Sequence, residues 1–99
     1  MGYFGLGSSG SQRLTADGVV GTSGKPTRVF TVINTSGTAG TVNLHNGTSN
    51  SDALLFALIG TANTSKVQNF EDGLLFPAGC YADLSANVSA AVIEFVKES

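Results

Sequence analysis

Tryptophan is absent from this chain, and cysteine and histidine occur once each, as Cys80 and His45. A lone cysteine excludes an internal disulfide, the staple on which small secreted domains commonly depend. A structural zinc site needs four Cys or His ligands, and two such residues cannot build one. The acidic residues Asp17, Asp52, Glu71, Asp72, Asp83, Glu94 and Glu98 are dispersed, and Glu71-Asp72-Gly73 lacks the repeated oxygen ligands of a calcium loop. Neither a metal nor a cofactor is expected. Charge is scarce too: charged residues make up 12% of the chain and the net charge is −2. Duplex nucleic acid is held by several cations that neutralise phosphates. Here only Arg13, Lys25, Arg28, Lys66 and Lys97 are available, and they are scattered. Nucleic acid is therefore not an expected partner.

Long apolar runs are missing, so no membrane-spanning helix is expected. The opening Met1-Gly2-Tyr3-Phe4-Gly5-Leu6 has no cationic stretch and no apolar core of signal-peptide length. Leu6 stands where an N-myristoylation motif wants Ser or Thr. The sequons at Asn34, Asn46, Asn63 and Asn87 matter only on a secretory route, and without a signal they read as turn and strand-end residues.

Catalytic signatures are equally thin. Gly5-Leu6-Gly7-Ser8-Ser9-Gly10 matches the dinucleotide fingerprint G-x-G-x-x-G. That motif works only between a strand and a helix whose N-terminus holds the pyrophosphate, and neither element is predicted beside it. His45 and Cys80 could form a nucleophilic pair in principle. Cys80 falls on the apolar face of a strand with Ala82 and Leu84, where a cysteine acts as a small hydrophobe. His45 precedes the Asn46-Gly47 turn signal and is expected at an exposed strand end. No nucleophile elbow accompanies the abundant serines, so the chain reads as non-enzymatic.

What the chain has is punctuation. Thirteen glycines in 99 residues, with frequent Ser, Thr and Asn, separate short apolar runs at a spacing of roughly 8–12 residues, the rhythm of sandwiches and barrels. The runs are Gly18–Val20, Thr27–Thr35, Thr41–His45, Ala53–Ile59, Lys66–Phe70, Leu74–Phe76, Cys80–Ser85 and Ala90–Val96. The pattern predicts one all-β domain with about eight strands, for which an antiparallel β-sandwich of the jelly-roll kind fits best and a different sandwich or a small barrel is the alternative. Ala53–Ile59 is apolar throughout, and its length of about seven suits a strand buried on both faces, with a short helix as the alternative that periodicity leaves open. Residues 1–16 are rich in Gly and Ser and read as a flexible N-terminal arm, with residues 17–99 as the sandwich. Tyr3, Phe4 and Leu6 interrupt the arm's polarity and are candidate anchors on a partner. His45, Asn46 and Tyr81 are candidate loop contacts. A chain with so little charge is weakly protected against association, which favours an oligomer or a subunit of a larger shell.

The order Thr27-Arg28-Val29-Phe30, Gly40-Thr41-Val42-Asn43-Leu44-His45-Asn46-Gly47 and Leu74-Leu75-Phe76-Pro77-Ala78-Gly79-Cys80-Tyr81, closed by a strand after Asn87, resembles small virion structural proteins of tailed bacteriophages. The resemblance covers roughly residues 17–97 and leaves the arm outside. It implies a capsid decoration or cement protein on the surface of the virion, assembled in the host cytoplasm. Such a protein would be a homotrimer bridging subunits of the major capsid protein. The rival readings are a tail fibre, knob or adaptor component, and a carbohydrate-binding module. The latter needs an exposed aromatic platform, and aromatics are only 8% of this chain.

Overall fold

The computed structural model describes residues 9–97, which form eight strands and no helix. They are β1 (Ser9–Leu14), β2 (Gly18–Val20), β3 (Thr27–Ser36), β4 (Thr41–Asn46), β5 (Ala53–Ile59), β6 (Thr64–Phe76), β7 (Cys80–Leu84) and β8 (Val88–Lys97). One sheet has the order β1-β8-β3-β6 and the other β2-β7-β4-β5, with every pairing antiparallel. The all-β antiparallel sandwich expected from the punctuation is therefore the fold. No described helix is long and apolar enough to cross a membrane.

Alternation along the strands builds the core. Val29 and Val32 of β3, Phe76 of β6, and Ala91 and Ile93 of β8 point in from one sheet. Val20, Val42, Leu44, Cys80 and Ala82 meet them from the other, and all ten are fully buried. Burying each large apolar side chain contributes about 1.5–3 kcal/mol, so this double layer is the main source of stability.

Two local readings are corrected. Residues 9–14 do not belong to an arm: Ser9–Leu14 is β1, in register with Val96 through Ala91 of β8. Its Gly/Ser content reads as flexible in isolation, but the glycine has a packing reason. A Cβ on Gly10 would lie 3.1 Å from the Phe95 ring, so the ring sits where a larger residue would stand. Residues 1–8 lie outside the described part of the chain.

The break at Glu71-Asp72-Gly73 that separates the runs Lys66–Phe70 and Leu74–Phe76 is not a turn between two strands but a bulge within one long strand. β6 pairs with β3 up to Asn69 opposite Thr31, then resumes at Leu74 opposite Val29. In the register residues 70–73 therefore stand opposite the single residue Phe30, and the Asp72 carbonyl accepts from Arg28 Nη1 at 3.2 Å. Gly73, at φ +79°, serves this excursion, since a Cβ there would collide with the Arg28 side chain. Turn chemistry was legible here, but the chain leaves its neighbour and returns to it rather than reversing.

Candidate functional site

Each sheet has two outer strands, and a free strand edge offers unpaired N–H and C=O groups to any passing chain. Among the described residues, three of the four edges are blunted. β2 is only three residues long. β1 carries Gly10, Ser11 and Arg13, and β6 carries Lys66, Glu71, Asp72 and the bulge. β5 has neither charge nor proline.

β5 is also the strand that sequence reasoning misplaced. Its seven residues, Ala-Leu-Leu-Phe-Ala-Leu-Ile, were expected to be buried on both faces. They lie instead at the margin of their sheet with β4 as the one described neighbour. Leu54, Leu55 and Ile59 are 53%, 43% and 70% exposed, and Ala53 and Ala57 are exposed as well. Only Phe56 and Leu58 turn inward and pack on the core. Val67 on β6 adds a further exposed aliphatic group near this side of the sandwich.

The edge is held rigidly from behind. Phe56 meets Phe70 of β6 edge to face, with ring centroids 5.0 Å apart and planes at 83°, closing the gap between the sheets. The fully buried Asn34 of β3 reaches across the sandwich and donates from Nδ2 to the carbonyls of Leu58, at 2.8 Å, and Gly40, at 3.0 Å. Ser36 Oγ donates to Asn34 Oδ1 at 2.7 Å, which fixes the amide's orientation. Gly60 follows β5, and a Cβ there would stand 2.9 Å from Asn34 Nδ2, so glycine is what lets the amide in. The strand and its support are thus built by residues from both sheets.

At the other end of β5 lies a polar cluster. The pairing of β4 with β5 slips by one residue between Leu44 and His45, leaving Leu55 as the extra residue. His45, on the face of β4 opposite the core, is buried beneath the loop that carries Asp52 and is not an exposed strand end. Its Nδ1 donates to the Asp52 carbonyl at 2.9 Å, and Nε2 lies 3.8 Å from Asp83 Oδ2 without a hydrogen-bond partner. The Asp52 carboxylate accepts hydrogen bonds from the Thr48 and Ser49 amides at 2.8 and 3.1 Å. These amides, chiefly that of Thr48, hold its pKa below the ordinary carboxylate value. A Cβ on Gly47 would collide with this carboxylate, so the 47–52 loop closes over Asp52 only with glycine there.

The expected loop contacts thus fall within two rungs of one ladder, where His45 pairs with Tyr81 and Asn46 with Cys80. Asn46 Oδ1 is occupied by the Ala78 amide at 2.8 Å, and Tyr81 is half-buried. The anchors Tyr3, Phe4 and Leu6 lie outside the described residues. Cys80 faces the core and His45 the opposite side of the sheet, so the two do not form a nucleophilic pair. Burial pushes the Cys80 thiol up to about 12, which keeps it protonated and unreactive. Gly10 of the glycine motif runs into a strand rather than a helix, so no helix N-terminus is present to hold a pyrophosphate.

Sequence reasoning missed Leu54, Leu55 and Ile59. The available signal was the combination of a charge-free strand with a chain too poor in charge to guard its edges. Comparison with protein-family models, curated proteins and solved structures gives no match.

Proposed function

We propose that this chain is a non-enzymatic structural subunit of a virus particle. It is a capsid decoration, or cement, protein of the tailed-bacteriophage kind, which binds the outer surface of the major capsid shell and stabilises it as a homo-oligomer. The observation that carries the reading is the edge strand β5, rigidly backed and free of charge, with Leu54, Leu55 and Ile59 open to solvent. Such a surface suits a protein whose work is to be covered by others.

The connectivity supports the same reading. The pairs β1–β8, β2–β7, β3–β6 and β4–β5 nest as in one long antiparallel ribbon rolled upon itself. We take this as a jelly roll, a double-sheet form used by viral capsid domains. A cement subunit gains from repetition, because many identical modest contacts sum to large resistance against internal pressure. The buried thiol and the bound imidazole nitrogen support a binding role over a catalytic one.

The test is the number of copies per purified particle, measured by quantitative mass spectrometry against the major capsid protein. A ratio in the hundreds per particle supports a cement protein. A dozen copies or fewer moves the chain to the tail, and absence from particles overturns the virion reading.

A further inference from the structure

We infer that β5 pairs edge to edge with the β5 of a second copy, antiparallel about a two-fold axis at Ala57, so that two four-stranded sheets join into one of eight. The inference rests on the edge itself and stands independently of the virion reading.

Extended chains add to free sheet edges through main-chain hydrogen bonds, while side chains on alternate positions decide the partner. Of the edges the described residues expose, β5 alone lacks shortness, charge or proline to discourage this. Its partner must also be one that its side chains accept. β5 carries no polar side chain with which to read a foreign sequence, and five of its seven residues are exposed and apolar. A second copy presents the same surface with the same need to be covered, and one contact satisfies both.

The register follows from the pleat. In an antiparallel pair, residues directly opposite lie on the same face, so a two-fold axis must pass through a residue rather than between two. With the axis at Ala57, Phe56 stands opposite the second copy's Leu58 on the inner face. Leu55 stands opposite the second copy's Ile59 on the outer face. Leu55 and Ile59, 43% and 70% exposed, are then covered together, and the smallest side chain lies at the axis where the backbones approach. The bulge at Leu54 and Leu55 ends the regular pairing on one side and Gly60 on the other, which limits the contact to about five residues per copy.

Electrostatics does not oppose the arrangement. The chain carries a net charge of only −2, and β5 contributes none of it. A contact of this length belongs to the small class of interfaces, so the dimer forms reversibly and with concentration, at roughly 10–100 µM. Such a contact is isologous, the commonest form of closed association. It replaces the three-fold arrangement that the family resemblance implies.

The experiment is performed on the free full-length chain, with no particle present, so its outcome is separate from the copy number that tests the virion reading. Directly opposite residues bring their Cα atoms to about 4.5–5.5 Å, within the range a disulfide can bridge. Ala57→Cys should therefore cross-link into a species of twice 10.1 kDa on mild oxidation. Val67→Cys, on the β6 edge and 55% exposed, should not. The unmodified chain, followed by light scattering, should rise in mass from one copy toward two. Ile59→Lys should lower the dimer fraction at least tenfold with an unchanged far-UV circular dichroism spectrum. Four outcomes would each overturn the proposal: equal cross-linking of the two cysteine variants, a stable three-copy mass, a monomer up to about 1 mM, or an Ile59→Lys variant that dimerises like the parent.

Discussion

Removing the Asn34 side chain tests whether the exposed edge is held from inside the sandwich. Asn34→Ala deletes the donor to the Leu58 carbonyl and the acceptor for Ser36 Oγ. It also deletes the bond to the Gly40 carbonyl, but that oxygen keeps the Gly60 amide at 2.7 Å. Three hydrogen bonds are lost, each worth about 1 kcal/mol net, while the Leu58 carbonyl keeps its place opposite Val42 in the β4–β5 ladder. The expected destabilisation is therefore about 3 kcal/mol, a large share of the roughly 5–15 kcal/mol that holds a domain together. At about 4–8 °C per kcal/mol for a chain of this size, Tm should fall by some 12–24 °C.

Thermal and urea unfolding followed by circular dichroism measure this directly, with Asn87→Ala as the control. Asn87 Nδ2 also donates to a carbonyl, that of Ala39, but at the surface. Its loss should cost about 1 kcal/mol or less. If the two variants lie within about 1 kcal/mol of each other, the claim that Asn34 ties the sheets together fails. Asn34→Asp sharpens the test, because it sets a carboxylate against the Leu58 and Gly40 carbonyls. Its folded pKa must then lie above the unfolded value of about 3.9. The variant should be most stable below that pH and lose stability as pH rises through the folded pKa.

Two further outcomes follow from ionisable groups. Cys80, with its pKa raised to about 12, should resist a thiol reagent at pH 8 in the native protein and react at once in denaturant. Rapid native labelling would mean that the core opens at β7. Asp52 has its pKa lowered by the Thr48 and Ser49 amides, so its contribution is present above the unfolded pKa of about 3.9 and is lost as pH falls through the folded value. Asp52→Asn should lower stability at pH 7 and shrink the difference between pH 7 and pH 3. An unchanged pH dependence would refute the assignment.

Most of the architecture was legible because period-two patterning and glycine punctuation act locally. Thr27–Ser36, Thr41–Asn46 and Cys80–Leu84 begin where the apolar alternation begins and end within a residue or two of where it stops. β1 was hidden because small residues opposite Phe95 have the same composition as a linker, and only the ring across the sheet shows why they are small. β6 was split because Gly73 adopts a positive φ both in turns and in bulges, and the strand β6 pairs with, β3, lies far away in sequence. His45 escaped for a related reason: its side chain keeps the face that alternation assigns, but the loop carrying Asp52 folds back onto it, and no local pattern records that cover.

β5 shows a deeper limit. Seven apolar residues in extended conformation are the pattern of a strand buried on both faces, whichever molecule does the burying. Sequence reports that Leu55 and Ile59 are apolar, but not that the fold leaves them exposed at the margin of a sheet. A pair of charge insertions separates the two situations. Ile93 is fully buried in the core, and Ile93→Lys buries an unpaired ammonium, which should prevent folding altogether. Ile59 is 70% exposed, so a lysine there can keep its ammonium in water, and the cost should stay within about 0.5 kcal/mol. Urea unfolding of Ile59→Lys at low protein concentration, where no second copy contributes, gives the measurement. A loss above about 2 kcal/mol would show that Ile59 belongs to this chain's own core, and the edge would then be no edge.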